Sequence, residues 1–203
     1  MTTTDIEKIA DSVLKKATIN NPAVMADKIA EFTFGLEFSW RKLTNNSIQG
    51  EILAAISFKD KKIYINETQE HKLKKNPGMM NFTIAHELGH WVLHKDLVQE
   101  KLPNFDGETL ICRGIDKVTD NKERQANLFA TFLLMPEKFI RDELKTFTFD
   151  QSIVRKMAER FRVSNQTMEI RLVNELKLIY KSSSNYFRNK AEAMESAGQQ
   201  TLF

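Results

Sequence analysis

Hydrophobic and polar positions change period several times along this chain, and each change predicts an element. From Thr4 to about Thr18, apolar residues recur at Ile6, Ile9, Val13 and Leu14, the spacing of one helical face. Thr4 and Glu7 are placed as a capping box at its start. Asn20-Asn21-Pro22 interrupts the pattern, and Pro22 opens a second helix over Ala23 to about Phe34, stopped by Gly35. Leu36 to Trp40 alternates, which predicts a strand. A loop at Asn45–Ser47 follows. Glu51–Phe58 and Lys62–Asn66 then read as two strands around the turn Lys59-Asp60-Lys61, a hairpin. Lys62–Asn66 is either an edge strand able to pair with an extended peptide or an ordinary strand under a helix.

Asn76-Pro77-Gly78 is a turn that launches a helix with apolar residues at Phe82, Ile84, Leu88, Trp91 and Val92. Gly89 sits inside it. Glycine costs a helix interior about 1 kcal/mol, so close approach of another backbone is expected there. Lys95 to Asp120 lacks clear periodicity and contains Pro103, Gly107 and Gly114. A connection this long is usually functional or mobile, and a lid over a cleft is one reading. Glu123 to Pro136 is helical again, then Glu137 to about Thr146, a helix capped by Asp150 running to about Phe161, and one capped by Ser164 running to about Leu178. The last two resemble a helix-turn-helix. Ser182-Ser183-Ser184 marks the expected end of the compact fold, before a polar tail with a short helix around Lys190–Ser196.

Composition narrows the class. With 203 residues, 41% hydrophobic and 28% charged, the chain suits a globular fold with a real core. One cysteine excludes an internal disulfide and fits a reducing cytoplasm. No stretch has the length of a membrane span, and the N-terminus carries no signal-peptide pattern. The net charge of +3 does not by itself argue for nucleic acid. Residues 137–190 hold 12 Lys/Arg against 7 Asp/Glu, a mild excess that leaves DNA contact by the last two helices as a rival to a purely structural helical pair.

The chemistry concentrates in HELGH, His86 to His90. Residues four apart on a helix point the same way, so His86 and His90 can grip one metal ion, with zinc the default. Glu87 falls beside that point, where a base takes a proton from a metal-activated water. Three of the four histidines (His86, His90, His94) lie on this one helix. His94 is about 12 Å along the axis from His86, too far to share the ion, and reads as an outer partner or a core residue. A third ligand must come from elsewhere, since a catalytic zinc takes three protein ligands. Glu123 is the candidate, sharing a face with Ala126 and Ala130. The competing reading makes Glu123 an exposed first-turn glutamate that favours the helix dipole, and spacing does not choose between them. Cys112 is either an inert thiol or one that reaches the ion and holds the site off.

The segments FTIAHELGHWVLH (82–94) and ERQANLFATFLLMP (123–136) together resemble the ImmA/IrrE family of metallopeptidases. KIYINE before the metal helix and MAERFRVSNQTMEIRL after it extend the likeness over roughly residues 22–180. The resemblance implies an α+β fold: a minimal zincin-like core in which a small antiparallel or mixed sheet packs on the HExxH helix, followed by a C-terminal helix-turn-helix-like segment. The expected divisions are residues 1–146, 147–181 and a flexible tail, 182–203. It also implies zinc on His86, His90 and Glu123, with Glu87 as general base, in a cytoplasmic endopeptidase. Family members often stand beside a helix-turn-helix repressor that they cleave, which implies stress-responsive transcription regulation. Tyr64, His71 and Arg124 are candidate oxyanion donors. The rival class is a non-proteolytic regulator that binds DNA or a partner through a structural or silent metal site. Gln199, Leu202 and Phe203 form a Q-x-x-L-F ending similar to the peptides that dock on a bacterial sliding clamp; a disordered end is the plainer reading.

Overall fold

Three strands, β1 (Glu37–Arg41), β2 (Ala54–Ser57) and β3 (Lys62–Asn66), form a sheet in the order β1-β3-β2. The computed structural model describes residues 1–43, 52–101 and 117–200. β2 and β3 make the expected antiparallel hairpin, with Ile56 opposite Ile63. β1 runs parallel to β3, with Phe38 opposite Ile63. β3 is therefore the central strand and not an edge, and no peptide can add to it. Both sides of its backbone are occupied because β1, arriving from a helix, returns on the flank the hairpin leaves open. Of the two edges, β2 is buried and lies against the metal helix, and β1 is partly exposed.

The helices follow the pattern with shifted ends. Helix α1 (Thr3–Lys16) starts two residues before the expected box: Thr2 and Asp5, not Thr4 and Glu7, cap each other. It buries Ile6, Ala10, Val13 and Leu14. Helix α2 (Ala26–Phe34) starts later than Pro22 suggests. The side chain of Asn81 decides this: its Oδ1 accepts from Ala26 N–H at 2.9 Å and its Nδ2 donates to Val24 O at 2.9 Å. Such a partner, 55 residues away in sequence, has no local signal. A short helix, α3 (Glu70–Lys75), precedes the long α4 (Pro77–Lys101). Pro77 is the first residue of α4, a position where its missing N–H costs nothing. Thr83 to Trp91 are all buried, so α4 is a core helix rather than an amphipathic one. Its described length takes in residues 95–101, which the sequence pattern assigns to a loop, and α5 (Lys117–Leu134) begins well before Glu123. Cys112 and the centre of the expected lid lie outside the described residues.

α4 and α5 pack along a small-residue seam. A Cβ on Gly89 would stand 3.1 Å from both Cα and O of Ala126 and 3.1 Å from a Phe129 ring carbon. That is the backbone approach expected of this glycine. Trp91 stacks on Phe58 at 5.8 Å between ring centres, joining α4 to the hairpin. α1 covers another side of α5.

Helices α6 (Glu137–Thr146), α7 (Ile153–Phe161) and α8 (Asn165–Glu169) follow, with Ser164 capping α8 through Thr167 N–H at 3.1 Å. After α8 the backbone continues as a π-helical stretch, Ile170–Glu175, not as the single α-helix expected to Leu178. Arg171 lies there, 3% exposed, donating to Met135 O at the end of α5 and to Glu175. The fold does not end at Ser182. Strands β4 (Tyr180–Ser182) and β5 (Asn185–Phe187) pair across Ser183-Ser184, and α9 (Lys190–Gln200) follows. Gln151 clasps this hairpin, donating to Tyr186 O at 3.0 Å and accepting from Tyr186 N–H at 2.7 Å. Three serines carry none of the Gly or Asn signals of a hairpin, so the turn is invisible in the sequence. Leu202 and Phe203 lie outside the described residues.

Gly78 marks a second tight contact, between the start of α4 and the α7–α8 turn. A Cβ there would stand 2.6 Å from the carbonyl carbon of Val163 and 2.9 Å from Ser164 N. Both are backbone atoms, so one segment must move. Gly78→Ala is expected to cost about 1–3 kcal/mol, the usual toll of overpacking. A thermal melt should fall by roughly 2–12 °C, and an unchanged midpoint would show that the two segments part freely.

Candidate metal centre

Three side chains from two helices converge on one point. His86 and His90 project from successive turns of α4, and Glu123 comes from α5. His86 Nε2 lies 3.2 Å from Glu123 Oε2, His90 Nε2 lies 3.2 Å from Glu123 Oε1, and the two Nε2 atoms are 3.0 Å apart. Glu123 is well inside α5 and its side chain is 13% exposed, so the reading as a solvated first-turn residue fails. Among the described residues, these three are the group of His, Cys, Asp and Glu side chains able to hold an ion, all ligand atoms lying within 4.8 Å of one another. Ligand atoms of a tetrahedral zinc stand about 3.3 Å apart, given bonds of about 2.0–2.1 Å. The observed triangle fits that requirement with small outward movements.

The electrostatics agree. Burial pushes the Glu123 carboxyl up, but hydrogen bonds from His86 and His90 outweigh it and hold the group well below the usual carboxylate range. Burial pushes His86 down, and the Glu123 hydrogen bond and the Glu87 charge more than reverse it. Glu87, 5% exposed, is thus near enough to His86 to act on its charge. Burial lowers His94 to about 4, against a hydrogen bond to Gln125 that favours the charged form.

His94 does not reach the three-residue group. It lies behind His90, with Nδ1 to Nδ1 at 3.1 Å, and its Nε2 is 3.1 Å from Gln125 Oε1. His86 Nδ1 is 2.9 Å from Asn127 Oδ1. Gln125 and Asn127 carry no signal on their own in the sequence; only the fall of Asn127 one turn beyond Glu123 hints at a shared face. The oxyanion candidates fare differently. Tyr64 bonds Asp60 through its hydroxyl, and His71 and Arg124 are exposed. Among the described residues, none of the three makes a hydrogen bond to His86, His90 or Glu123.

The sequence profile of the IrrE N-terminal-like peptidase family matches residues 47–173, more than half of the chain. The chain belongs to this family. A stretch of 82 residues is 38% identical to the Metallopeptidase ImmA of Bacillus subtilis (strain 168), covering 40% of this chain and 38% of that protein. A solved Mycobacterium tuberculosis transcriptional regulator has a similar fold, with a TM-score of 0.54 at 16% identity, over 84% of this chain and 46% of that one. Each match spans less than half the length of the relative. The α+β fold and the family expected from the two sequence blocks are both borne out. This IrrE-like domain contains no described helix long and apolar enough to cross a membrane.

Proposed function

We propose that the protein is a zinc-dependent endopeptidase that hydrolyses a peptide bond in a specific protein partner. The observation that carries this reading is the meeting of two imidazole Nε2 atoms and one carboxylate within 4.8 Å, with Glu87 beside them. Three protein ligands leave a fourth position for water, whereas a structural zinc site is closed by four. Bound there, zinc supplies a Lewis acid and lowers the pKa of water to about 7.

The chain's own residues do the rest. His86 and His90 present Nε2 and Glu123 presents its carboxylate to the ion. Glu87 takes the proton from the attacking water and returns it to the leaving amine. Its low exposure keeps competing bulk water away from that exchange. We assign catalysis to residues 1–146 and a supporting role to residues 147–181, and we place the enzyme in a reducing cytoplasm. A helix-turn-helix repressor is the proposed substrate, in keeping with the family and with the regulator that shares the fold.

DNA binding by the last helices draws little from the geometry. Arg171 is the one cation between Asn165 and Glu175, and it is buried against Met135 O. That helix thus offers a phosphate backbone no positive charge.

Metal content and chelation test the reading. Protein purified without added metal should carry close to one zinc per chain. Cleavage of its repressor should stop on treatment with a chelator and return on zinc addition. Cleavage that survives complete zinc removal would overturn the assignment.

A further inference from the structure

We infer that two amides of α5, Gln125 and Asn127, are positioning residues that set the tautomers of both metal-facing imidazoles, Asn127 directly on His86 and Gln125 through His94 on His90. The inference rests on the metal reading above and adds to it how the site is prepared.

The hydrogens available to each facing pair of atoms decide the tautomers. An amide oxygen only accepts. Asn127 Oδ1, 2.9 Å from His86 Nδ1, therefore requires the hydrogen on Nδ1 and makes Nε2, which faces Glu123, the nitrogen that an ion binds in place of its proton. His90 has no amide at its own Nδ1. It meets His94 Nδ1 at 3.1 Å, and two facing ring nitrogens share a single hydrogen. Which ring supplies it is decided one step further out. His94 Nε2 lies 3.1 Å from Gln125 Oε1, an acceptor, so the hydrogen of His94 sits on Nε2 and its Nδ1 is bare. The shared hydrogen then belongs to His90 Nδ1, and His90 Nε2, which faces Glu123, is the nitrogen that binds metal. The same amide orientation lets Gln125 Nε2 donate to Asn121 Oδ1 at 3.4 Å.

Burial makes this ordering matter. His90 and His94 are each 1% exposed and Gln125 is 8% exposed. With the polarity reversed, a hydrogen would occupy His90 Nε2, where the ion must sit. The three links therefore select Nε2 as the metal-facing nitrogen of His90, and a chain Gln125–His94–His90 does for one ligand what Asn127 does for the other.

The test has two readouts besides catalysis. Long-range nitrogen–proton NMR on imidazole-labelled wild-type protein should find the His94 hydrogen on Nε2 and none on Nδ1. A His94 hydrogen on Nδ1 would overturn the inference, and this holds even if no variant folds. Zinc affinity, measured by competition with a chromogenic chelator, should fall about 10–100-fold in Gln125→Leu, the range seen when outer partners of metal ligands are lost. Gln125→Glu, which keeps an acceptor for His94 Nε2–H, should restore most of it. Equal affinity in wild type and Gln125→Leu would sink the relay, as would equal losses in the Leu and Glu variants. If the wild type binds no zinc, the metal reading fails while the NMR result still decides the hydrogen positions.

Discussion

Glu87→Gln is expected to slow peptide-bond hydrolysis by about 10²–10⁴-fold, the usual worth of a positioned general base. Zinc content should not change, because Glu87 is not one of the three groups that meet at the ion position. Glutamine fills the same volume in a site that is only 5% exposed, so the fold has no reason to yield. It lacks the one property the reaction needs, a carboxylate that accepts a proton and gives it back. Single-turnover cleavage of the substrate by wild type and variant, with zinc quantified in each, separates the two effects. A variant that cleaves at the wild-type rate would remove Glu87 from the chemistry.

Glu123→Gln should act on the earlier step and lose the metal itself. The substitution keeps the shape of the side chain and removes the negative charge that His86 and His90 approach at 3.2 Å. Losing even an outer partner of a ligand costs about 10–100-fold in metal affinity. Loss of a charged ligand should exceed about 100-fold. Purified without added zinc, the variant should hold well under one ion per chain and show no cleavage. Its melting temperature should also stop responding to zinc, since an ion that binds only the folded state stabilises in proportion to its occupancy. Full zinc occupancy in Glu123→Gln would mean that Glu123 is not a ligand, and the likeness between this site and a peptidase centre would lose its third corner.

The histidine pair was the most legible part of the site. His86 and His90 are linked by the helical period alone, and α4 presents them as that period requires. Gly89 was legible for a similar reason, because a glycine inside a buried helix asks for a neighbour close by. Glu123 was legible only as a candidate, since spacing within α5 says nothing about which helix it faces. Gln125 and Asn127, which meet His94 and His86, were not legible, because an amide in a helix carries no sign of the imidazole it will meet. The same limit explains the misplaced start of α2, set by Asn81, and the position of β3. Hairpin signals are local, but the parallel return of β1 depends on where a helix delivers the chain. The hairpin at Ser183-Ser184 failed to register because its strands are three residues long and its turn has ordinary residues.

The packing of α1 on α5 has a consequence for how the protein is made. α1 is synthesised about a hundred residues before α5, the helix on which its buried face is seated. Glu123 arrives on that same late helix. Until then α1 carries an exposed apolar stripe and the two histidines of α4 lack their carboxylate. Contacts this distant in sequence slow folding, because a long loop must close before any of them can form. Zinc capture and the docking of α1 should therefore appear in the same kinetic phase, late and together, in a refolding experiment followed by a zinc-sensitive dye.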